Sequence, residues 1–267
     1  DPSYASRFTF HVSRITHPPE YSPRRTYGQT AAAFARRGCL AAHLRLWYTG
    51  AMSTSITSPS ASSWLTPRRA GIATAALLAL LALLLILSPA ERQLGNLIKV
   101  IYLHGALARV GLYGLMLAGL LALVYLVRPK PALLRWSNAV QVAAMIVFIV
   151  HFALSVIPTR ATWGVWIAFD EPRTRMTLQI VGVGLLVMVV RHLIDDRRFS
   201  AVANALLGAA VLLLNLRTGV LRHPLNPIGE STSPTIQLFY AGILLTCAAL
   251  TGLLAWWLAQ RMMKGER

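Results

Sequence analysis

Residues 75–87 read AALLALLALLLIL, an unbroken apolar run with no charged side chain. A similar run extends from Leu185 to Val190, and a charge in either run would be costly inside a bilayer. The whole chain has this character, because 55% of its 267 residues are hydrophobic and 13% are charged, whereas about a quarter are charged in soluble domains. The sequence therefore predicts a multi-spanning membrane protein.

Six segments are long enough to cross a bilayer core, which needs roughly 20 apolar residues of helix. They lie near residues 70–88, 97–127, 133–157, 176–194, 200–217 and 236–260. The predicted fold is therefore all-α, a polytopic membrane protein with six transmembrane helices. It has three parts: an N-terminal tail over 1–69, a six-helix membrane domain over 70–260, and a C-terminal tail over 261–267.

Basic residues concentrate at the breaks between the spans, and the richer set of flanks is expected to face the cytoplasm. One set holds Arg68, Arg69, Arg128, Lys130, Arg135, Arg191, Arg197, Arg198, Arg261, Lys264 and Arg267. The other holds Arg92, Lys99, Arg160, Arg173, Arg175, Arg217 and Arg222. Eleven against seven predicts a multi-pass protein of the cell (inner) membrane with both termini in the cytoplasm.

The net charge of +17 would suggest a nucleic-acid partner in a soluble protein. Here seven of the 26 basic residues lie in residues 1–51, and most of the others flank the spans, where they anchor in headgroups. We therefore expect the lipid bilayer as a partner and no nucleic acid.

Residues 1–51 differ from the rest of the chain, with paired arginines, scattered aromatic rings and no sustained period. Met52 precedes a polar run that is typical of a cytoplasmic leader, so our hypothesis is that Met52 is the natural start and that residues 1–51 are upstream or non-native sequence. A cleaved targeting segment and a native disordered tail are the alternatives.

Two cysteines, Cys39 and Cys247, lie far apart, and no Cys-x-x-Cys-His motif is present, so the chain is not itself a c-type cytochrome. The sequence contains no phosphate loop, Ser/His/Asp arrangement or metalloprotease helix. We therefore do not expect an enzyme.

The segment 163–174, WGVWIAFDEPRT, places aromatic and charged residues between two apolar runs. Its three rings recur every three residues and share one side of a helical or turn-like segment: Trp163, Trp166 and Phe169. Such a face suits an interfacial belt as well as a ligand platform. The acids Asp170 and Glu171 beside Arg173 and Arg175 favour the ligand platform, because a belt does not need them.

Three ionisable residues are predicted inside the membrane: His104, Arg109 and His151. Such groups are candidates for function, although a histidine bonded to a neighbouring helix is the ordinary alternative. Arg109 could face a ligand carboxylate, the loop aspartate or a polar cavity. His104 and His151 are expected at similar depth on adjacent helices, where they could clamp a metal from both sides. His223, in an outer loop with two prolines, could ligate iron, titrate near neutral pH or have no role.

These residues resemble the haem-handling membrane proteins of cytochrome c maturation, the CcmC/CcsA family, whose outer loop reads W-G-x-x-W-x-W-D with a threonine soon after. Trp163, Gly164, Asp170 and Thr174 match in register, and Trp166 matches a further tryptophan of the haem exporter protein C branch. Ile167 and Phe169 stand where that branch usually has tryptophan. The stretch from Ile101 to His104 resembles the segment that carries its first haem-ligand histidine. His223 stands where the family has its second haem-ligand histidine, but the sequence of the surrounding loop differs from that of the family.

The resemblance implies a non-covalent, transiently held haem b at the outer face, between His104, His223 and the aromatic loop. It would be delivered to a haem chaperone, to other cytochrome c maturation membrane proteins or to apocytochrome c. A flat apolar macrocycle with two carboxylates suits aromatic faces, imidazole ligation and an arginine such as Arg173 or Arg175 near its propionates. The alternative is a structural or electron-transfer subunit of a larger respiratory or photosynthetic membrane complex with the same fold.

Overall fold

A computed structural model describes residues 66–222, 228–229 and 231–265. Its helices are α1 (Pro67–Leu87), α2 (Leu97–Val127), α3 (Pro131–Trp163), α4 (Pro172–Ile194), α5 (Arg197–Arg217) and α6 (Pro234–Gly265). All six are long and apolar enough to cross a membrane. The predicted all-α, six-helix membrane fold is confirmed. The proposed start at Met52 lies outside the described residues.

The helix starts follow from local sequence. Proline occupies the first turn of α1, α3 and α4, where its missing N–H leaves no intrahelical hydrogen bond unmade. The Thr66 hydroxyl caps α1 by accepting from the Arg69 N–H at 3.3 Å, and the Asp196 carboxylate caps α5 by accepting from the Phe199 N–H at 2.6 Å. These caps fix where each helix begins.

The third helix is longer than the sequence predicted. We expected its span to end at residue 157, but α3 continues through Pro158 to Trp163. Gly164 then ends it in a left-handed conformation with φ of 77°, which glycine adopts without strain. Trp163 therefore belongs to the last turn of α3 and not to the loop, and the irregular connection covers only residues 164–171.

The second helix is the centre of the bundle, because it packs against α3, α5 and α6 and touches α1. Its closest backbone neighbour is α5: a Cβ placed on Gly208 would lie 2.8 Å from the Gly119 Cα. Phe148, Leu115 and Met145 fill the core beside this crossing and are almost fully buried. In contrast, α4 lies at the edge and packs mainly against α5.

Successive helices are antiparallel. Ser137, near the start of α3, donates to the Ala118 carbonyl late in α2 at 2.8 Å, whereas His151, late in α3, meets His104, early in α2. The bundle thus has two ends. We call the end with residues 88–96, 164–171 and 218–222 the tryptophan end, and the end with residues 128–130 and 195–196 the basic end.

Candidate functional site

Two intramembrane histidines face each other across α2 and α3. The rings of His104 and His151 stack with centroids 4.3 Å apart. Nδ1 of His104 lies 3.3 Å from the carbonyl oxygen of His151, and Nδ1 of His151 lies 3.1 Å from the carbonyl oxygen of His104. A carbonyl oxygen only accepts, so each Nδ1 is the donor; in a neutral imidazole the lone pair is then on Nε2.

The predicted shared depth of the two histidines is confirmed by these contacts. Their rings touch face to face, however, so a metal or a flat macrocycle has no room between them in this arrangement. The Phe148 ring covers His151 further, with centroids 5.2 Å apart. The pair therefore does not clamp a ligand from both sides in this arrangement.

A second intramembrane contact lies one helical turn deeper in α2. The Arg109 guanidinium sits 5.1 Å from the centroid of the Tyr240 ring on α6, and Tyr240 in turn lies 6.4 Å from Tyr102, centroid to centroid. This contact was not among the partners that the sequence suggested for Arg109: its guanidinium lies against an aromatic face, which attracts a cation. The buried hydroxyl of Tyr102 has no hydrogen-bond partner among the described residues.

The aromatic residues of the tryptophan end have different surroundings. Trp166 and Phe169 are 63% and 62% exposed, whereas Trp163 is half-buried. Arg160 lies 5.2 Å from the Trp166 ring, and Arg222 lies 5.7 Å from the Trp163 ring. The predicted common side required a helical or turn-like segment, but helix α3 ends between Trp163 and Trp166. The exposed rings are available to lipid, a ligand or a partner.

The two acids of the loop bind the next outer connection. The Glu171 carboxylate is 1% exposed and accepts from the backbone N–H groups of Leu221 at 3.2 Å and Arg222 at 2.9 Å. The exposed Asp170 accepts from Nε of Arg222 at 2.8 Å and also contacts its Nη2. The hydrogen bond from Arg222, together with the charges of Arg222 and Arg175, lowers the pKa of the Asp170 carboxyl below its usual value of 3.8.

This pairing fixes the chain immediately before His223, the second predicted iron ligand. His223 itself lies outside the described residues. Because Glu171 and Asp170 hold Leu221 and Arg222, the connection that carries His223 leaves α5 beside the aromatic loop.

The remaining predicted residues lie in the first turn of α4. Nη2 of Arg175 is 3.5 Å from the Asp170 carbonyl oxygen, and the N–H of Thr174 donates to the Glu171 carbonyl at 3.1 Å. Nε of Arg173 is buried and has no acceptor among the described residues. A polar groove of about 410 Å³ opens here, lined by Pro172, Arg175, Met176, Gln179, Arg217, Thr218 and Gly219. Its two arginines suit a carboxylate or a phosphate.

Sequence reasoning missed three features of these regions: the buried role of Glu171, the loop partner Arg222, and a polar cluster around Arg191 at the basic end. A signal was present for the last of them. Asn204 and Gln141 stand inside otherwise apolar spans, and polar residues in such spans usually have a partner.

The predicted site residues thus form two groups. The histidine pair lies inside the bundle, and the loop residues lie at the tryptophan end; Trp163 is about 18 Å further along α3 than His151 at 1.5 Å of rise per residue. No protein-family model matches the chain and no curated protein is significantly similar to it, so the resemblance to cytochrome c maturation proteins stays a prediction.

Proposed function

We propose that this protein binds haem b non-covalently at the outer membrane face and passes it on during c-type cytochrome maturation. The observation that carries the proposal is the hydrogen bond from Nδ1 of His104 to the His151 carbonyl. Histidines that ligate a metal usually donate their other ring N–H to a carbonyl or carboxylate, which fixes the tautomer and the ring. His104 has this arrangement, with the lone pair on Nε2.

The chemistry of the tryptophan end supports the same cargo. Exposed Trp166 and Phe169 offer apolar faces to a macrocycle, and Arg173, Arg175 and Arg217 offer positive charge to its propionates. The Asp170–Arg222 pair positions the connection that leads to His223, which we propose as the second iron ligand. The aromatic part of the proposed site is exposed at the tryptophan end, which suits transfer of haem to an acceptor.

The proposed orientation places the tryptophan end outside and both termini in the cytoplasm of the cell (inner) membrane. The basic end carries more lysine and arginine, as cytoplasmic flanks do. Haem would then meet its acceptors outside the cytoplasm: a haem chaperone, other cytochrome c maturation membrane proteins or apocytochrome c. The protein handles haem without being an enzyme.

A second candidate function is a structural or electron-transfer subunit of a larger membrane complex. The exposure of Trp166 and Phe169 favours it, because aromatic side chains are enriched at protein interfaces. Loss of these rings would then reduce assembly and leave haem content unchanged.

The test is a haem titration of the detergent-purified protein, followed by its Soret band, with His104→Ala and His151→Ala as a matched pair. Replacing His151 keeps its backbone carbonyl, so the acceptor for Nδ1 of His104 survives while the stacked ring is lost. We expect His104→Ala to lose the low-spin spectrum and His151→Ala to weaken binding less.

A wild-type protein that gives no Soret shift relative to free haem contradicts haem handling altogether. If the wild type binds haem and both variants give its spectrum, then His104 is not a ligand.

A further inference from the structure

A polar cluster lies at the basic end, between α3, α4 and α5. Nη1 of Arg191 donates to three side-chain oxygens: Asn138 at 2.7 Å, Gln141 at 2.5 Å and Asn204 at 3.0 Å. Asn204 in turn donates to the Ser137 hydroxyl at 2.9 Å. All of these acceptors are neutral, so they orient the guanidinium without cancelling its charge.

Some hydrogen-bond donors of this cluster have no acceptor among the described residues. Every side-chain hydrogen bond that the described part of the structure gives Arg191 uses Nη1, and no carboxylate there pairs with its guanidinium. The amide nitrogen of Gln141, a residue only 1% exposed, also lacks an acceptor among the described residues. An oriented positive charge beside a spare buried donor favours an anion.

An apolar groove runs between α4 and α5, the two helices that carry Arg191 and Asn204. It has a volume of about 340 Å³ and is lined by Val183, Val187, Phe199, Val202, Ala203, Leu206, Leu207 and Ala210. Every one of these side chains is apolar. Arg191 follows the groove residue Val187 by one helical turn of α4, so it lies just beyond the end of the groove nearest the basic end. The arrangement matches a molecule with a hydrocarbon tail and an anionic head.

We propose that this groove binds one anionic phospholipid, with an acyl chain along Val183, Val187 and Leu206 and its phosphate at Arg191. The depth fits, because Arg191 lies in the last turn of α4, close to where lipid headgroups begin. Charge also fits: the described residues of the basic end include Arg128, Lys130, Arg135, Arg197 and Arg198, against the two acids Asp195 and Asp196. The occupant would fill the gap beside α4, the helix at the edge of the bundle.

The experiment is native mass spectrometry of the full-length protein titrated with phosphatidylglycerol or with phosphatidylcholine. We expect the wild type to retain one phosphatidylglycerol and to retain phosphatidylcholine much less. Arg191→Gln removes the charge and should weaken phosphatidylglycerol retention about fivefold or more. Its control, Arg198→Gln, removes an exposed charge near the same end and should change retention little.

A second pair of variants tests the groove without touching the charge. Ala210→Phe puts a ring into the groove, whereas Ala209→Phe puts the same ring on the exposed neighbouring position outside it. We expect only Ala210→Phe to lose the lipid. This pair of variants also tests whether the lipid binds in the groove if Arg191→Gln does not fold.

Four results overturn the proposal. If the wild type retains the two lipids equally, the charge of the headgroup does not determine binding. If Ala209→Phe and Ala210→Phe lose phosphatidylglycerol equally, the lipid does not bind in the groove. Dimer formation without lipid retention assigns the groove to a second copy of the chain. Inorganic phosphate that displaces phosphatidylglycerol at equal concentration shows a phosphate site and not a lipid site.

Discussion

The buried carboxylate of Glu171 should hold the two outer connections together. Glu171→Ala removes the acceptor of two backbone N–H groups, those of Leu221 and Arg222. Hydrogen bonds to a charged acceptor contribute about 1.5–3 kcal/mol each, so two at the lower value give about 3 kcal/mol. Because roughly 1.4 kcal/mol is a factor of ten, we expect these amides to open about a hundredfold more often in Glu171→Ala.

Hydrogen–deuterium exchange of the segment 218–222, followed by mass spectrometry, measures this opening directly. Asp170→Asn is the control, because Asp170 is one residue away but exposed, and its pair with Arg222 is screened by water. The physical argument predicts a large change for Glu171 and a small one for Asp170. Faster exchange in Asp170→Asn with none in Glu171→Ala would show that the ion pair, and not the buried carboxylate, links the connections.

Three further outcomes can be measured. Replacing Trp163 and Trp166 together with alanine should lower haem occupancy about a hundredfold, since two indoles contribute a few kcal/mol; unchanged haem and cytochrome maturation with a smaller native complex would favour the subunit function. The Asp170 pKa is depressed by the guanidinium that donates to it. The contribution of the Asp170 carboxylate to the stability of the fold is therefore present above pH 3.8 and is lost as the pH falls through the lower folded-state pKa. Asp170→Asn and wild type should accordingly differ in melting temperature by a constant amount near neutral pH and converge in acid. Gly208→Ala should cost about 1–3 kcal/mol of stability, because its Cβ would meet the α2 backbone at 2.8 Å. Its control, Gly252→Ala inside α6, has nothing within 4 Å of the new Cβ and should not lower the melting temperature, because alanine is the better helix former.

The spans could be predicted because length and apolar composition are local properties of the chain. The end of α3 could not. Pro158 usually marks a helix boundary, yet its missing N–H leaves only one carbonyl unpaired, and the helix continues to Trp163. The boundary depends instead on Gly164, whose left-handed conformation is a property of the folded chain.

The contacts of the candidate site were less predictable. The depth of His104 and His151 follows from residue counting, but their stacking depends on how α2 and α3 rotate about their axes. The bonds from Leu221 and Arg222 to Glu171 join residues far apart in sequence, and no local pattern signals them. His223 lies outside the described residues, so its pairing with His104 stays a prediction.

Helices α4 and α5 are fastened to each other at both ends. Glu171 binds the chain after α5 at the tryptophan end, and Arg191 binds Asn204 at the basic end. The intervening groove therefore lies between two polar contacts, one near each end of the helix pair. The lipid that we propose for this groove would enter between these contacts, sideways from the surrounding bilayer, and its occupancy would then follow the composition of the membrane.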